Sequence, residues 1–223
     1  MKPLLKIMAL LAMVFVGIFL LLNVTGLVTV EKIEGWLLAA KSANPLFVGG
    51  LVVLLLWIDL IIAVPTLATL ILAGYFIGAG PGAVAGAIGL FASGMSGYWL
   101  SRHYGDDALK HILQDTEERA RAKRSFHRHG PVIIILARAL PMLPEVSSCM
   151  AGLTRMPFWT FLALWAVNVV PYCALAAHAG SLSTMDDPTP AILAAIGLSA
   201  SFWVAWAIFN RRQNRAAKAP PSA

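Results

Sequence analysis

Two prolines three residues apart inside an apolar stretch set the strongest constraint on what this chain can fold into. From Gly130 to Pro157 it reads GPVIIILARALPMLPEVSSCMAGLTRMP, too apolar for a loop in water and too interrupted for a helix that crosses a bilayer. Pro131 to Leu140 supplies about ten residues before Pro141, half of the roughly 20 that a spanning helix needs. Pro144 keeps the break from healing, because each proline removes a backbone donor and clashes with the preceding turn. The stretch therefore predicts a re-entrant hairpin: a short helix, a proline turn, and a second short helix ending at Gly152. Irregular backbone of this kind survives at membrane depth only where protein or a water-filled cavity surrounds it. Arg138 and Glu145 flank the break, and Ser147, Ser148 and Cys149 follow it. This is the expected working part of the molecule.

A membrane setting agrees with the rest of the chain. Of its 223 residues, 59% are hydrophobic and only 13% charged, and the mean hydropathy is +0.76. A soluble domain carries about 25% charged residues. Cys149 and Cys173 both lie in apolar stretches, so no disulfide framework is implied. The net charge of +6 reads as topology and not as affinity for nucleic acid. Of 17 Lys and Arg, seven fall in 102–130 (Arg102, Lys110, Arg119, Arg121, Lys123, Arg124, Arg128). Arg211, Arg212, Arg215 and Lys218 follow the last apolar run, and Lys2 and Lys6 open the chain. The positive-inside rule places these three segments, and with them both termini, on the cytoplasmic side.

In chain order, Leu4 to Val30 is expected as a retained first helix. A cleaved signal peptide is the alternative, but the run is long for a signal core and Asn23-Val24-Thr25-Gly26 is a poor cleavage site. Glu31 to Asn44 reads as an amphipathic connector. Leu46 to Val64 is the second apolar run, with Asp59 inside it and Pro65 at its end, and Thr66 to Phe76 is another half-length piece. Gly78, Gly80, Pro81 and Gly82 then form an expected structural turn, since proline is favoured at the start of a new helix. Gly82 to Leu100 supplies that helix. Its Gly82, Gly86, Gly89, Ser93 and Gly97 line one face, where small residues let another backbone approach closely. Residues 106–128 read as a surface helix with i,i+4 pairs Asp115–Arg119 and Glu117–Arg121. His103, His111, His127 and His129 belong to this basic surface and not to a metal site. Phe158 to Ala179 and Ala191 to Phe209 are the remaining spans, and His178 is expected at an interface.

The two broken segments correspond: each is a short apolar arm, a proline or glycine turn, and a further helix with small residues. Interrupted helices at matching places in two halves are a pointer to a transporter binding site near the midplane. The expected fold is all-α, a polytopic membrane protein with about four full spanning helices and two re-entrant helical hairpins forming a repeat. An N-terminal helix and connector (1–44) precede the repeat (45–180), and a last helix with a basic tail (181–223) follows it. Whether the halves are inverted is left open.

Arg138-Ala-Leu-Pro141-Met-Leu-Pro144, Ala151-Gly152-Leu153 and the aromatic-rich span ending near Pro171 resemble the second half of a VTT domain, the DedA or SNARE-associated Golgi protein superfamily. Ala73-Gly74-Tyr75-Phe76-Ile77-Gly78, the glycine-rich helix and Tyr98-Trp99-Leu100-Ser101-Arg102-His103-Tyr104-Gly105 resemble its first half. The resemblance covers roughly residues 60 to 180. Classical bacterial DedA proteins carry a second arginine where this chain has Pro144 followed by Glu145, a pattern closer to the branch typified by yeast Golgi vesicle proteins. The resemblance implies movement of phospholipids or polyprenyl-phosphate carriers between leaflets, a role for proton motive force, and a bacterial inner membrane.

Asp59, Arg138 and Glu145 are the ionisable residues in or beside the breaks. A charge at the centre of a membrane helix costs roughly 2.5–3.5 kcal/mol, so such residues face a cavity or each other. One reading is an Arg138–Glu145 ion pair that fastens the two arms. The other is a gated anion site, in which Arg138 offers a planar fork suited to phosphate. Backbone N–H groups at the helix start after Pro144 point toward the same place. Pro141, Pro144, Ser147 and Ser148 would line it. Glu145 would compete with an anionic headgroup until a proton neutralised it, with Asp59 as second acceptor. Gly152 completes the set of expected turn residues. Membrane lipids are the expected partners, and a homo-oligomer is left open. A small-solute permease and a structural assembly factor are the competing functions. No nucleophile–base pair, metal-ligand cluster or phosphate loop points to an enzyme or a cofactor.

Overall fold

The computed structural model describes residues 13, 32, 35, 44–62, 64–112, 116–139, 143–184 and 189–218. The expected first helix and connector therefore lie outside the described residues almost entirely, as does Pro141. The described chain folds into seven α-helices and one 3-10 turn: α1 (Pro45–Ile58), α2 (Thr66–Ile77), α3 (Ala79–Ile112), α4 (Thr116–Ile135), the turn Ala137–Ala139, α5 (Leu143–Leu153), α6 (Phe158–Leu182) and α7 (Thr189–Lys218). The protein is an all-α membrane protein.

Among the described residues two helices are long and apolar enough to cross a bilayer, Ala79–Gly105 within α3 and Phe158–Leu182. They run antiparallel. The Trp165 indole donates to the Leu90 carbonyl at 3.1 Å, the Tyr98 and Phe161 rings stack at 4.8 Å, and Trp99 meets Phe158. Gly94 leaves the space that the Trp165 indole fills.

Around this pair lie two broken helices. α1 has 14 residues and α2 has 12, about 21 and 18 Å at 1.5 Å per residue, against a hydrocarbon core of about 30 Å. The expected run Leu46–Val64 is thus not one helix. It stops at Ile58, where Asp59 begins a tip that lasts to Pro65. The tip is held by Asp59, whose Oδ1 accepts from the Val64 N–H (2.7 Å) and Oδ2 from the Thr66 hydroxyl (2.8 Å). A carboxylate so placed satisfies a buried backbone N–H of the tip and ties the tip to the first residue of α2. In the second half, α4 leads into a break that begins at Leu136 and α5 leads out of it from Leu143.

The residues after each second arm match as well. Gly78 ends α2 with φ 88°, and Arg155 follows α5 with φ 57°. Arg155 is the left-handed residue of a Schellman ending: its N–H donates to the Gly152 carbonyl and that of Met156 to the Ala151 carbonyl, both at 2.9 Å. Each half is therefore arm, tip, arm, left-handed residue, spanning helix.

Cross-packing between halves fixes their relation. α2 crosses the far end of α6, where a Cβ on Gly74 would collide with the Ala177 carbonyl and one on Gly180 with the Ile71 carbonyl. α5 crosses the far end of α3 in the same way, with Gly152 against the Tyr98 carbonyl and Gly97 against Ser148. Because α3 and α6 are antiparallel, the first broken pair opens on one side of the membrane and the second on the other. The halves are inverted.

Four expectations change. The turn at 78–82 is tighter than read: Gly78 alone makes it, and Gly80, Pro81 and Gly82 belong to the first turn of α3, which fits the preference for proline there. Gly82 packs against the backbone of Ala73 and Gly74. The stretch 106–128 is not a helix of its own, since α3 continues to Ile112 and α4 runs from Thr116 through Pro131 to Ile135. Gly152 is a crossing point, not a turn. The first break lies at Asp59–Pro65 and not at the glycines.

Candidate functional site at the helix breaks

The two tips bring together charges that the chain keeps far apart. Asp59 comes from the first tip, Arg138 from the 3-10 turn of the second, and Glu145 from the first turn of α5. They lie close enough for each charge to act on the other two, and the Tyr172 hydroxyl of α6 feels all three. Asp59 is 6% exposed. Arg138 and Glu145 are half-buried, but Glu145 Oε2 is itself shut off from solvent and has no hydrogen-bond partner among the described residues.

Arg138 does not form the fastening ion pair with Glu145 among the described residues. Its Nε donates instead to Asn168 Oδ1 at 3.3 Å, and its guanidinium carbon lies 4.6 Å from the centre of the Tyr172 ring. Asn168, 3% exposed in the middle of α6, turns its amide the other way as well. Nδ2 donates to the carbonyls of Ile134 (3.0 Å) and Ile135 (2.8 Å) at the broken end of α4. The last carbonyls of a helix lack intrahelical partners, and hydrocarbon offers no water to replace them. Asn168 fills that need from a neighbouring helix.

The remaining expected residues fall as follows. Ser147 and Ser148 are fully buried on α5, and their hydroxyls donate to the carbonyls of Pro144 (2.8 Å) and Glu145 (2.9 Å). Pro144 is buried in the first turn of α5. Gly78, Gly80, Pro81 and Gly82 lie around the α2–α3 junction, away from the tips. Cys149 and Cys173 are buried free thiols. His103 bonds the Trp99 carbonyl within its own helix, and His178 is exposed near the end of α6. α7 packs on α6 and on the 137–139 turn, with Phe202 edge-on to Tyr172 at 6.2 Å.

Sequence reasoning passed over Asn168, Tyr172 and Thr66. The signal for Asn168 was present: an amide inside the apolar run Phe158–Ala179 must find partners there. Nothing in the spacing told which broken helix end it would meet.

Paired broken helices of opposite orientation, with their charged tips facing each other between two spanning helices, define a polytopic membrane protein built on an inverted repeat. The family model of the VTT domain matches residues 64–182, more than half of the chain, and the protein belongs to that family. The match falls where the sequence motifs placed it. Among curated proteins, undecaprenyl phosphate transporter A of Bacillus subtilis (strain 168) is 29% identical over 153 residues, covering 61% of this chain and 76% of its own. The uncharacterized membrane protein YkoX of the same organism is 28% identical over 150 residues, covering 63% of this chain and 65% of its own. No solved structure matches significantly.

Proposed function

We propose that the protein is a transporter that carries a lipid phosphate, a phospholipid or a polyprenyl phosphate, from one leaflet to the other. The observation that carries this reading is the meeting of Arg138 with two carboxyls at the tips of oppositely directed broken helices. Arg138 offers the planar cationic fork that suits phosphate. Its relative named as an undecaprenyl phosphate transporter supports that cargo. The orphan oxygen of Glu145 supports proton coupling: a buried carboxyl without a donor is at lower cost protonated. A proton on Glu145 removes the negative charge that competes with the headgroup, and Asp59 is the second acceptor. The charge distribution of the loops supports both termini in the cytoplasm, here of a bacterial inner membrane.

The test is exchange of labelled phospholipid and polyprenyl phosphate between leaflets of proteoliposomes, with and without a pH gradient. Arg138→Ala is expected to lower exchange by about ten- to a hundredfold, the loss of a charge-assisted hydrogen bond of ~1.5–3 kcal/mol. Glu145→Gln is expected to keep headgroup binding while exchange stops responding to the gradient. Exchange by Arg138→Ala equal to wild type ends the proposal, and passage of small anions without lipid exchange replaces it with a permease.

A further inference from the structure

Asn168 joins the broken end of α4 to the guanidinium of Arg138. We infer that Asn168 is the positioning residue of the anion site, fixing which edge of Arg138 meets the phosphate; this rests on the proposed role of Arg138.

An arginine presents five N–H groups in a rigid fork, and phosphate can be taken side-on, through Nε and one Nη, or end-on, through both Nη groups. Side-on binding needs a free Nε, and here Nε is committed to Asn168 Oδ1. One face of the guanidinium is also covered, by the Tyr172 ring. The two Nη groups make no hydrogen bond among the described residues, so the end-on edge is the one offered to an anion. Asn168 is itself held from behind. Both Nδ2 hydrogens go to the Ile134 and Ile135 carbonyls, which leaves the amide no rotation that keeps its partners. The 137–139 turn that carries Arg138 begins two residues after Ile135. The same amide thus pins the helix end from which Arg138 projects and the direction in which it points. A ligand group must be held to within about 0.5 Å to work well, and such precision comes from supporting residues of this kind.

The experiment follows exchange of a fluorescent polyprenyl phosphate in proteoliposomes as a function of lipid concentration. Asn168→Leu, similar in size but unable to bond either partner, is expected to raise the half-saturating concentration about tenfold while the maximal rate falls less, as for lost ground-state binding. Asn168→Gln, which keeps both functions, is expected to stay within about threefold of wild type. Should Asn168→Leu fail to yield folded protein, Asn168→Ser replaces it, since serine cannot reach Arg138.

A second readout is independent of transport: the rate at which phenylglyoxal modifies Arg138, followed on its peptide by mass spectrometry. Freed of Asn168, Arg138 is expected to react several-fold faster. An unchanged half-saturating concentration or an unchanged modification rate, in a variant that has lost only thermal stability, overturns the inference and leaves Asn168 a helix cap. Loss of exchange in Arg138→Ala together with wild-type behaviour of Asn168→Leu refutes this inference alone. Wild-type exchange by Arg138→Ala refutes the transport reading instead.

Discussion

The phenolic hydroxyl of Tyr98 donates to the backbone carbonyl of Met156 at 2.5 Å, joining α3 to the turn between α5 and α6 across 58 positions of sequence. Arg102 bonds both the Tyr98 oxygen and, at 3.2 Å, the same carbonyl. Tyr98 is fully buried, so this triad locks the α5–α6 turn of the second half to the span of the first. Tyr98→Phe removes the hydroxyl and leaves a carbonyl and a guanidinium short of a partner. The expected cost is about 1–3 kcal/mol, read as a lower melting temperature in detergent. Adding Arg102→Leu to Tyr98→Phe should cost less than the sum of the two separate changes, because they share one network.

At the α3–α5 crossing, Gly152 has no room for a side chain. A Cβ there would strike the Tyr98 carbonyl, and the obstacle is backbone that cannot swing aside. Gly152→Ala is expected to destabilise by about 1–3 kcal/mol as an overpacked contact. Gly197→Ala, in open space on α7, is expected to be neutral or to stabilise by up to about 1 kcal/mol through helix propensity. Thermal stability of the two variants in the same detergent distinguishes them, and equal effects would contradict the described crossing.

The two oxygens of Asp59 both bond the far end of its own tip, which separates its structural task from its charge. Asp59→Asn keeps an acceptor for the Val64 N–H and a partner for the Thr66 hydroxyl, and should fold nearly as well as wild type. Asp59→Leu strands the Val64 N–H and should lose about 1–3 kcal/mol of stability. If leaflet exchange in Asp59→Asn keeps its full response to a pH gradient, Asp59 is a cap and not a proton acceptor.

Opposite orientation of the halves has a direct chemical test. With Cys149 and Cys173 replaced by alanine, Gly80→Cys reports the α2–α3 junction and Arg124→Cys the basic part of α4; both positions are exposed. In intact cells an impermeant maleimide is expected to label the first and not the second, with Arg124→Cys labelled only after the membrane is opened. Labelling of both from outside would refute the cytoplasmic placement of the basic segments.

Much of this architecture is legible in the chain, and the illegible part has physical causes. Pro141, Pro144 and the charges beside them announce the second break, because proline chemistry is local. The first break is harder. Pro65 and the Gly78–Gly82 cluster both end a helix, and only packing shows that Asp59–Pro65 is the tip and Gly78 the counterpart of Arg155. Pro131 misleads for the same reason: a proline inside a helix costs about 3 kcal/mol in isolation, but α4 runs through it. Asn168 shows the limit most plainly. An amide in an apolar run advertises a need for partners, and the partners are 33 and 34 residues away in sequence.

The two halves repeat in backbone and not in chemistry, with a lone acid in one tip and a base, a second acid, an amide prop and an aromatic floor at the other. A carrier that works by letting each half take the other's shape passes between arrangements that are twins in outline only. For the carrier proposed above, the two arrangements then differ in energy, and the empty protein is expected to favour the one that keeps Asp59, Arg138 and Glu145 best partnered.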